Sequence, residues 1–321
     1  MNEFDAIAEL RRALGGGLDA ARGIGDDAAL LPPSAGGVLA VDTMVAGVHF
    51  RLDWSGWADV GYKLFASNAS DMLAMGARPG DWLLSVALPV GARAAALPGL
   101  IEGLRAARDD WGGGALVGGD TTSLPPGAGE GVLSITMSGA VVHEPWLRSG
   151  FRPGDGLWVD GPLGLAACGL ASLESGIEAQ AARCVSQHRR PAPPAWRWRA
   201  DHTADAGKPG AVVDPLAAVR GGIDVSDGLA QDLWHVARAS GVRLVVDRPL
   251  PGEALLEAID ASRTAAWQWA GGDDYVRVIA CAGDPGPGWT RIGRVEEGAP
   301  GVVLERGGAA EPVSPAGWRH G

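Results

Sequence analysis

The sequence has few cysteines, a shortage of positive charge and no apolar run long enough to cross a bilayer. Its 3 cysteines form neither a C-x-x-C pair nor a zinc-type spacing, which favours buried free thiols in a reducing compartment. With 27 Lys and Arg against 38 Asp and Glu, the formal charge is −11, which argues against a surface that follows nucleic-acid backbone. The acidic N-terminal residues argue against a signal peptide. We therefore expect a cytoplasmic protein that binds neither nucleic acid nor membrane.

Several common catalytic motifs are also missing. The chain contains no G-x-x-x-x-G-K-[ST] loop, no protein-kinase motif set and no G-x-S-x-G nucleophile elbow. The pattern Gly23-x-Gly25-x-x-Ala28 imitates a dinucleotide fingerprint, but no strand is predicted before it and two acids occupy its turn. If the chain binds ATP, it must therefore do so without either common phosphate cradle.

The composition that is present predicts a folded chain of about two domains. A length of 321 residues and a hydrophobic content of 46% are ample for two cores of roughly 150 residues each. Strand-like and helix-like segments alternate, which indicates an α/β or α+β fold. The turn-rich stretch from Arg148 to Asp155 is the expected joint. We therefore predict an N-terminal domain over residues 1–148 and a C-terminal α/β domain over residues 149–321.

Local patterns predict the elements that carry the first acids. A short helix is expected over residues 4–14, and a buried strand over residues 38–41 ends at Asp42. A long helix is expected from about residue 57 to residue 76, with Asp71 on an otherwise buried side. An unpaired acid there is expensive, so Asp71 needs a partner.

Three further expectations concern later segments. A helix over residues 97–110 has Pro98 in its first turn, where proline is tolerated. A short strand over residues 115–117 leads into Gly118. The segment over residues 187–215, rich in Pro and Trp, is expected to be a surface connection.

Carboxylates beside glycine or at the ends of elements recur along the whole chain. Each motif alone is also a common turn or helix-cap signature. As a set they are typical of a ligand site, because several come as pairs and nearby glycine lets backbone approach a phosphate. We therefore predict one shared site for divalent cations that also hold phosphates. Its candidate acids are Asp26, Asp27, Asp42, Asp71, Asp120, Asp224, Asp227, Asp273 and Asp274.

Four other side chains each have two interpretations. Arg148 is either a guanidinium clamp for phosphate or a surface arginine at the domain joint. His49 either contacts a substrate or is structural. Asp273 either recognises a polar substrate group or caps a turn. Trp318 either stacks on a flat ring or packs against the protein.

Together these motifs make the chain resemble the thiamine-monophosphate kinase family of the aminoimidazole-ribonucleotide-synthetase-like superfamily. The resemblance runs nearly from end to end, and the order of the motifs makes it more specific than any single one. The matching motifs are Gly23–Asp27, Asp42–Phe50, Asn68–Ala77, Gly118–Thr122, Arg148–Gly150, Asp224–Leu229 and Gly271–Tyr275.

The resemblance implies a two-domain α/β fold, a homodimer formed through N-terminal sheets, and a nucleotide groove lined by both domains. It implies that ATP and thiamine monophosphate give ADP and thiamine diphosphate by direct in-line transfer with several Mg²⁺ ions. It also implies roles for individual residues. The implied metal ligands are Asp27, Asp42, Asp71, Asp120, Asp224, Asp227 and the Val41 carbonyl, with Asp71, Asp120 and Asp227 catalytic. The implied nucleotide contacts are Gly119, Asp120, Arg148 and Ser226, and the implied substrate contacts are His49, Asp273 and Trp318.

Two positions depart from the family pattern. Ala40 and Val41 stand where relatives usually carry hydroxyl residues before Asp42, so only the Val41 carbonyl can coordinate there. Asp273 stands where relatives usually carry Glu, and its shorter side chain can require a water to reach the same partner.

Two alternatives stay open on the sequence. One is another ATP-dependent activity of the superfamily: aminoimidazole ribonucleotide synthesis, selenophosphate synthesis or a hydrogenase-maturation dehydratase. No cysteine precedes Cys168, and the chain ends in glycine rather than a functional cysteine, which argues against the last two. The other alternative is a non-catalytic sensor of metal and nucleotide, against which the full set of acids argues.

Overall fold

The computed structural model describes residues 25–31, 37–195 and 214–318, together with positions 5, 8, 9 and 13. Those four positions are helical, and the rest of the predicted N-terminal helix lies outside the described residues. Most of the predicted connection over residues 187–215 also lies outside them. The three cysteines are free and buried, as predicted.

The first sheet contains five of the described strands. They are β1 (Ala29–Leu30), β2 (Val38–Val45), β3 (Ala77–Pro89), β4 (Leu116–Leu124) and β5 (Val132–Val141). The order is β1-β2-β5-β3-β4, with β3 and β4 parallel and the other pairs antiparallel. Leu133, Ile135 and Met137 alternate along β5 and lie on its buried face, so this strand has one face in the core.

Two long helices cover one face of this sheet, α1 (Trp57–Ala74) and α2 (Arg93–Trp111). The helices cross closely at two glycines: a Cβ on Gly61 would clash with the Leu100 carbonyl, and one on Gly103 with Ala58. Helix α1 is therefore enclosed between α2 and the sheet, and nearly all its residues are buried.

Three boundaries differ from the sequence predictions. Strand β2 does not end at Asp42 but pairs with β5 as far as Val45, and its side chains alternate between buried and exposed rather than being buried throughout. Strand β4 runs through the whole Gly118–Thr122 motif, because β3 pairs with it residue by residue. Helix α2 begins at Arg93, since alanines extend it N-terminally, so Pro98 lies inside the helix and not in its first turn.

The second sheet contains seven described strands in the order β12-β11-β8-β10-β6-β9-β7. They are β6 (Gly156–Val159), β7 (Val219–Asp224), β8 (Arg243–Val246), β9 (Arg277–Cys281), β10 (Thr290–Glu296), β11 (Gly301–Arg306) and β12 (Ala309–Val313). The accompanying helices are α3 (Leu165–Ser175), α4 (Ala182–Arg189), α5 (Leu229–Ser240), α6 (Glu253–Asp260) and α7 (Thr264–Ala270). Helix α5 ends at Gly241, which has a φ of 68° in the left-handed region that favours glycine.

Helix α4 corrects the surface connection predicted from residue 187. Gln187 and His188 are buried in its last turn, and the Gln187 amide donates to the Asp274 carbonyl at 3.2 Å. Strands β11 and β12 and helix α6 were not predicted, because glycine-rich turns interrupt the pattern around them. Along the sequence, the strands of the first sheet come before residue 148 and those of the second sheet come after it. The domain boundary itself stays a prediction.

The two sheets meet where the C-terminal end of α1 approaches β7. A Cβ on Gly222 would clash with the Ala74 carbonyl and press on Trp146. This close approach brings the last turns of α1 against the end of β7, where Asp224 lies. Among the described residues, no helix is both long and apolar enough to cross a membrane.

Candidate functional site

Three acids predicted to act together do converge where the sheets meet. Asp27 precedes β1, Asp71 lies on α1 and Asp224 ends β7. Each offers a carboxylate oxygen, and these oxygens lie within 4.8 Å of one another. We call Asp27, Asp71 and Asp224 the acid cluster.

The acid cluster is electrostatically costly without a cation. Burial, followed by the charge of Asp27, raises the pKa of Asp224 to about 8, although the Ser70 hydroxyl donates to its carboxylate at 2.8 Å. Burial and the charges of Asp42 and Asp224 hold the pKa of Asp71 well above its usual range. Both shifts have the physical cause expected of a carboxylate group that lacks a positive partner.

Arg148 supplies part of the missing charge. Its backbone N–H donates to Asp26 at 2.6 Å, and its guanidinium Nη2 donates to Asp27 Oδ1 at 2.5 Å. The other carboxylate oxygen of Asp27 is buried and has no hydrogen-bond partner among the described residues. Asp26 therefore fixes the backbone of Arg148, whereas Asp27 belongs to the acid cluster.

Asp42 faces the same side of the first sheet as α1. Its backbone N–H donates to the Asn68 side chain at 3.1 Å. Burial raises the pKa of its carboxyl, and the charges of Asp227, Asp27 and Asp273 raise it further. Asp42 therefore lies in the same negative field as the acid cluster. The neighbouring Val41 points to the opposite face, where its side chain is exposed.

A second group of possible ligands lies at the start of α5, where Asp227, Asp232 and His235 have ligand atoms within 4.8 Å of one another. Asp232 accepts a hydrogen bond from the Gly228 N–H at 3.1 Å and so caps the helix. Burial, followed by the charges of Arg148 and Arg238, lowers the pKa of His235 to about 4. Asp232 and His235 were not among the predicted ligands, although their i, i+3 spacing is visible in the sequence.

Asp120 lies apart from both groups. Strand β4 is an exposed edge strand, and the register places Thr43, Ser134, Ser85 and Asp120 side by side across the sheet. Thr43 and Ser134 are bonded on the face opposite to α1, at 3.0 Å between their hydroxyls. Asp120 shares that open face, whereas Asp42 and Asp71 lie on the covered side. Gly119 fits against β3 so closely that a Cβ would clash with the Leu84 carbonyl.

The Gly271–Tyr275 loop lies against the loop after β7. The Asp273 N–H donates to the Ser226 carbonyl at 2.8 Å, and the Tyr275 N–H donates to the Val225 carbonyl at 2.9 Å. The Asp273 carboxylate pairs with Lys63 of α1, a residue that the sequence analysis overlooked. Asp274, by contrast, is fully buried and accepts from the N–H groups of Gly164 and Ala166 at the start of α3. Asp274 is thus a helix anchor, which corrects the interpretation of Asp273 and Asp274 as a cation-binding pair.

The two remaining predicted substrate residues lie in different settings. Trp318 is bound to the loop that carries Asp227, because its N–H donates to the Asp227 carbonyl at 2.9 Å, and its side chain is 50% exposed. His49 accepts a hydrogen bond at Nδ1 from the Val45 N–H at 3.0 Å, which closes the turn after β2. His49 therefore has a structural contact, and its contact with a substrate stays a prediction.

The chain is similar to known proteins in both sequence and fold. Residues 25–141 match the family model described as AIR synthase related protein, N-terminal domain. A thiamine-monophosphate kinase of Mycobacterium tuberculosis is 37% identical over 330 aligned positions, covering 99% of this chain and 91% of that protein. A structure described as AaThiL complexed with AMPPCP and TMP has a TM-score of 0.80 at 26% identity, covering 99% of this chain and 97% of the other. The thiamine-monophosphate kinase of Stenotrophomonas maltophilia K279a has a TM-score of 0.70 at 32% identity, covering 96% and 98%.

Proposed function

This chain belongs to the thiamine-monophosphate kinase family of phosphotransferases, and we propose that it transfers the γ-phosphoryl group of ATP directly and in line to thiamine monophosphate, with several Mg²⁺ ions in the site. One observation carries this proposal. Three carboxylates from the two halves of the chain converge, and Asp27 keeps one buried oxygen without a hydrogen-bond partner in the part of the chain that the structure describes. Such an orphaned oxygen suits a hard cation, which takes several carboxylate ligands.

The chain's own residues would divide the work of binding. Asp27, Asp71 and Asp224 hold Mg²⁺ in the acid cluster, and Asp42, Asp227 and the Val41 carbonyl extend it. When bound, Mg²⁺ would neutralise phosphate charge, so that an acidic protein could accept a triphosphate. Asp71, Asp120 and Asp227 are the proposed catalytic acids. In this proposal, residues 1–148 and 149–321 are the two domains and the site lies between them.

The nucleotide and the acceptor use different edges of this site. Arg148, Ser226, Gly119 and Asp120 contact the nucleotide. Arg148 suits this role because its Nε is buried without a hydrogen-bond partner among the described residues and remains available to a phosphate oxygen. His49, Asp273 and Trp318 contact thiamine monophosphate.

We propose that Gly119 and Asp120 reach a site only in a homodimer. The Asp120 side chain lies on the open face of the first sheet, opposite to α1, and Gly119 precedes it in the same edge strand. Asp120 therefore cannot meet Asp71 of the same chain unless its strand is turned over. That open face also exposes apolar side chains, with Val41 61% and Leu83 45% exposed. An exposed apolar sheet face beside an unpaired edge strand is suited to a second copy of this chain. The cytoplasmic location stays a prediction.

A turnover assay tests the function. Purified protein with ATP and Mg²⁺ should release ADP only when thiamine monophosphate is added, and thiamine diphosphate should appear in equal amount. Tight ATP binding without turnover would instead support the sensor. Release of ADP with another acceptor, but not with thiamine monophosphate, would support a different activity of the superfamily.

A further inference from the structure

We propose that Lys63 is a positioning residue for thiamine monophosphate, because from inside α1 it holds the Asp273 carboxylate at the substrate edge of the site. The Lys63 ammonium lies 2.5 Å from Asp273 Oδ2. The side chain of Lys63 is only 6% exposed, whereas that of Asp273 is 37% exposed. The cation is therefore buried behind the acid, and the acid is the member of the pair that a ligand can reach.

A second contact completes the hold on Asp273. The Tyr275 hydroxyl donates to Asp273 Oδ1 at 3.1 Å, so each carboxylate oxygen has one partner. A carboxylate has about four lone-pair positions, so both oxygens can still accept from a substrate. Thiamine monophosphate offers an aminopyrimidine donor and a cationic thiazolium ring. The two contacts therefore orient Asp273 without using up its capacity.

The backbone around Asp273 shows that this orientation is imposed. Asp273 has a φ of 66° and Tyr275 a φ of 48°, which is an uncommon conformation for Asp and an outlying one for a bulky tyrosine. Such conformations persist when the surroundings determine them, and they gather at ligand sites. Here Gly272 lies against the Ser226 carbonyl so closely that a Cβ would clash. The backbone conformation therefore sets the direction of the Asp273 side chain, and the ion pair with Lys63 fixes the position of its carboxylate.

The ion pair also joins the two halves of the molecule. Lys63 belongs to the helix that carries Asp71, while Asp273 belongs to the loop bound to Ser226. The metal acid on α1 and the substrate acid on the loop are thus held in one frame. Since direct transfer requires the acceptor phosphate to lie in line with the donor, a contact across the two halves serves positioning.

The inference rests on the proposed function, so wild-type turnover with thiamine monophosphate is measured first; without it the proposed function fails before Lys63 is tested. Lys63→Met, which keeps the length and removes the charge, should raise the KM for thiamine monophosphate at least about tenfold while leaving the KM for ATP within about twofold, as loss of uniform binding to one substrate predicts. Lys63→Arg should recover a substantial part of the loss. The matched control is Lys208→Met, because Lys208 is the other lysine of the sequence.

Isotope labelling gives a second measurement, the ¹⁵N signal of the Lys63 side chain, which would not respond to the substrate if the lysine were only structural. Protein grown on ¹⁵N-lysine gives side-chain signals from Lys63 and Lys208 alone. The Lys63 Nζ signal should shift when thiamine monophosphate is added without ATP, and the shift should vanish in Asp273→Asn. A folded Lys63→Met protein with an unchanged KM for thiamine monophosphate, or with equal rises for both substrates, overturns the inference. So does a Lys63 signal that does not respond to saturating thiamine monophosphate.

Discussion

Arg148 and Asp27 form an ion pair at 2.5 Å in which the acid is almost entirely buried and the arginine is partly exposed. The guanidinium binds one oxygen of Asp27, and the other oxygen is buried and has no hydrogen-bond partner within residues 25–31, 37–195 and 214–318. Asp71 and Asp224 stand beside that second oxygen. One arginine therefore faces three carboxylates and supplies only a third of the positive charge that would neutralise them. The proposed Mg²⁺ ions complete it.

The first prediction removes the arginine. In the absence of metal, Arg148→Met should lower the free energy of unfolding by about 3 kcal/mol, because breaking a buried pair leaves an uncompensated charge. Mg²⁺ should stabilise this variant more than it stabilises the wild type, since the ion then supplies the missing charge. Urea unfolding with and without Mg²⁺ measures both quantities.

A double-mutant cycle separates this effect from lost packing. Asp27→Asn combined with Arg148→Met should cost clearly less than the sum of the single changes, because the pair is removed together. Strict additivity would mean that the two side chains do not interact in solution.

The second prediction concerns the acid on α1. Asp71→Asn should reduce turnover at least about 100-fold, as expected when charge-neutralising metal is lost from phosphoryl transfer. The matched control is Asp109→Asn on α2, whose exposed carboxylate pairs with the adjacent Arg108. Near-normal turnover in a folded Asp71→Asn protein would contradict the assignment of Asp71 to the metal site.

Much of this site could be predicted from sequence, and the part that could not has a physical reason. Asp27 and Asp224 stood out because acids beside glycine or at the ends of elements recur along the chain, and Asp71 stood out because it lies on the buried side of a predicted helix. Their convergence depends on the close packing of Gly222 against Ala74, a contact that no local sequence pattern encodes. Asp274 was misread because an acid that caps a helix and an acid that binds metal have the same sequence signature.

The third prediction uses the position of Asp120 on the open face. Asp120→Asn alone should also lose at least about 100-fold in turnover. If Asp71 and Asp120 enter one site from different subunits, mixing the two inactive variants should restore activity. Random exchange makes half the dimers mixed, each with one intact site, so about a quarter of wild-type activity should return.

The control for this experiment is a variant that cannot pair. Leu83→Glu places a charge in the exposed apolar face and should leave a monomer in sedimentation, with no activity recovered on mixing. Failure of the Asp71→Asn and Asp120→Asn proteins to restore activity, with exchange verified, would show that both acids act within one chain or that Asp120 has no role.

The extent of the strand that carries Asp120 was not predicted correctly from the sequence. A Gly-Gly-Asp motif after three apolar residues is typical of a turn, and the strand was predicted only over residues 115–117. In the structure β3 pairs with every residue of the motif, so Asp120 belongs to an edge strand whose facing direction is set by register. A one-residue shift would turn Asp120 to the other side of the sheet, and only tertiary pairing decides between the two.

The fourth prediction tests whether Trp318 meets the acceptor. Its backbone is bound to the Asp227 loop, and its side chain is 50% exposed, so the ring can be reached by a flat ligand. Trp318→Ala should raise the KM for thiamine monophosphate more than the KM for ATP, while Trp318→Phe should recover most of the loss because it keeps a stacking ring. Equal effects on both substrates would mean that the indole only packs.

The last prediction concerns acid stability and His188 in α4. Burial, followed by the charge of Lys63, lowers the pKa of His188 to about 3 from its ordinary value near 6.5. The folded state therefore keeps this imidazole neutral at a pH where the unfolded chain already binds a proton. The sign follows from linkage: the contribution of His188 to stability is intact above pH 6.5 and is lost as the pH falls toward 3.

His188→Gln removes this proton uptake, so the difference in unfolding free energy between variant and wild type should be flat above pH 7. Below pH 6.5 the difference should move in favour of the variant by about 1 kcal/mol per pH unit. Urea unfolding at half-unit steps from pH 7.5 to pH 4.5 measures the slope. The neutral side chain also matters to its neighbour, because a charged His188 beside Lys63 would repel the ammonium that holds Asp273. Parallel slopes for the two proteins would mean that His188 charges freely in the fold.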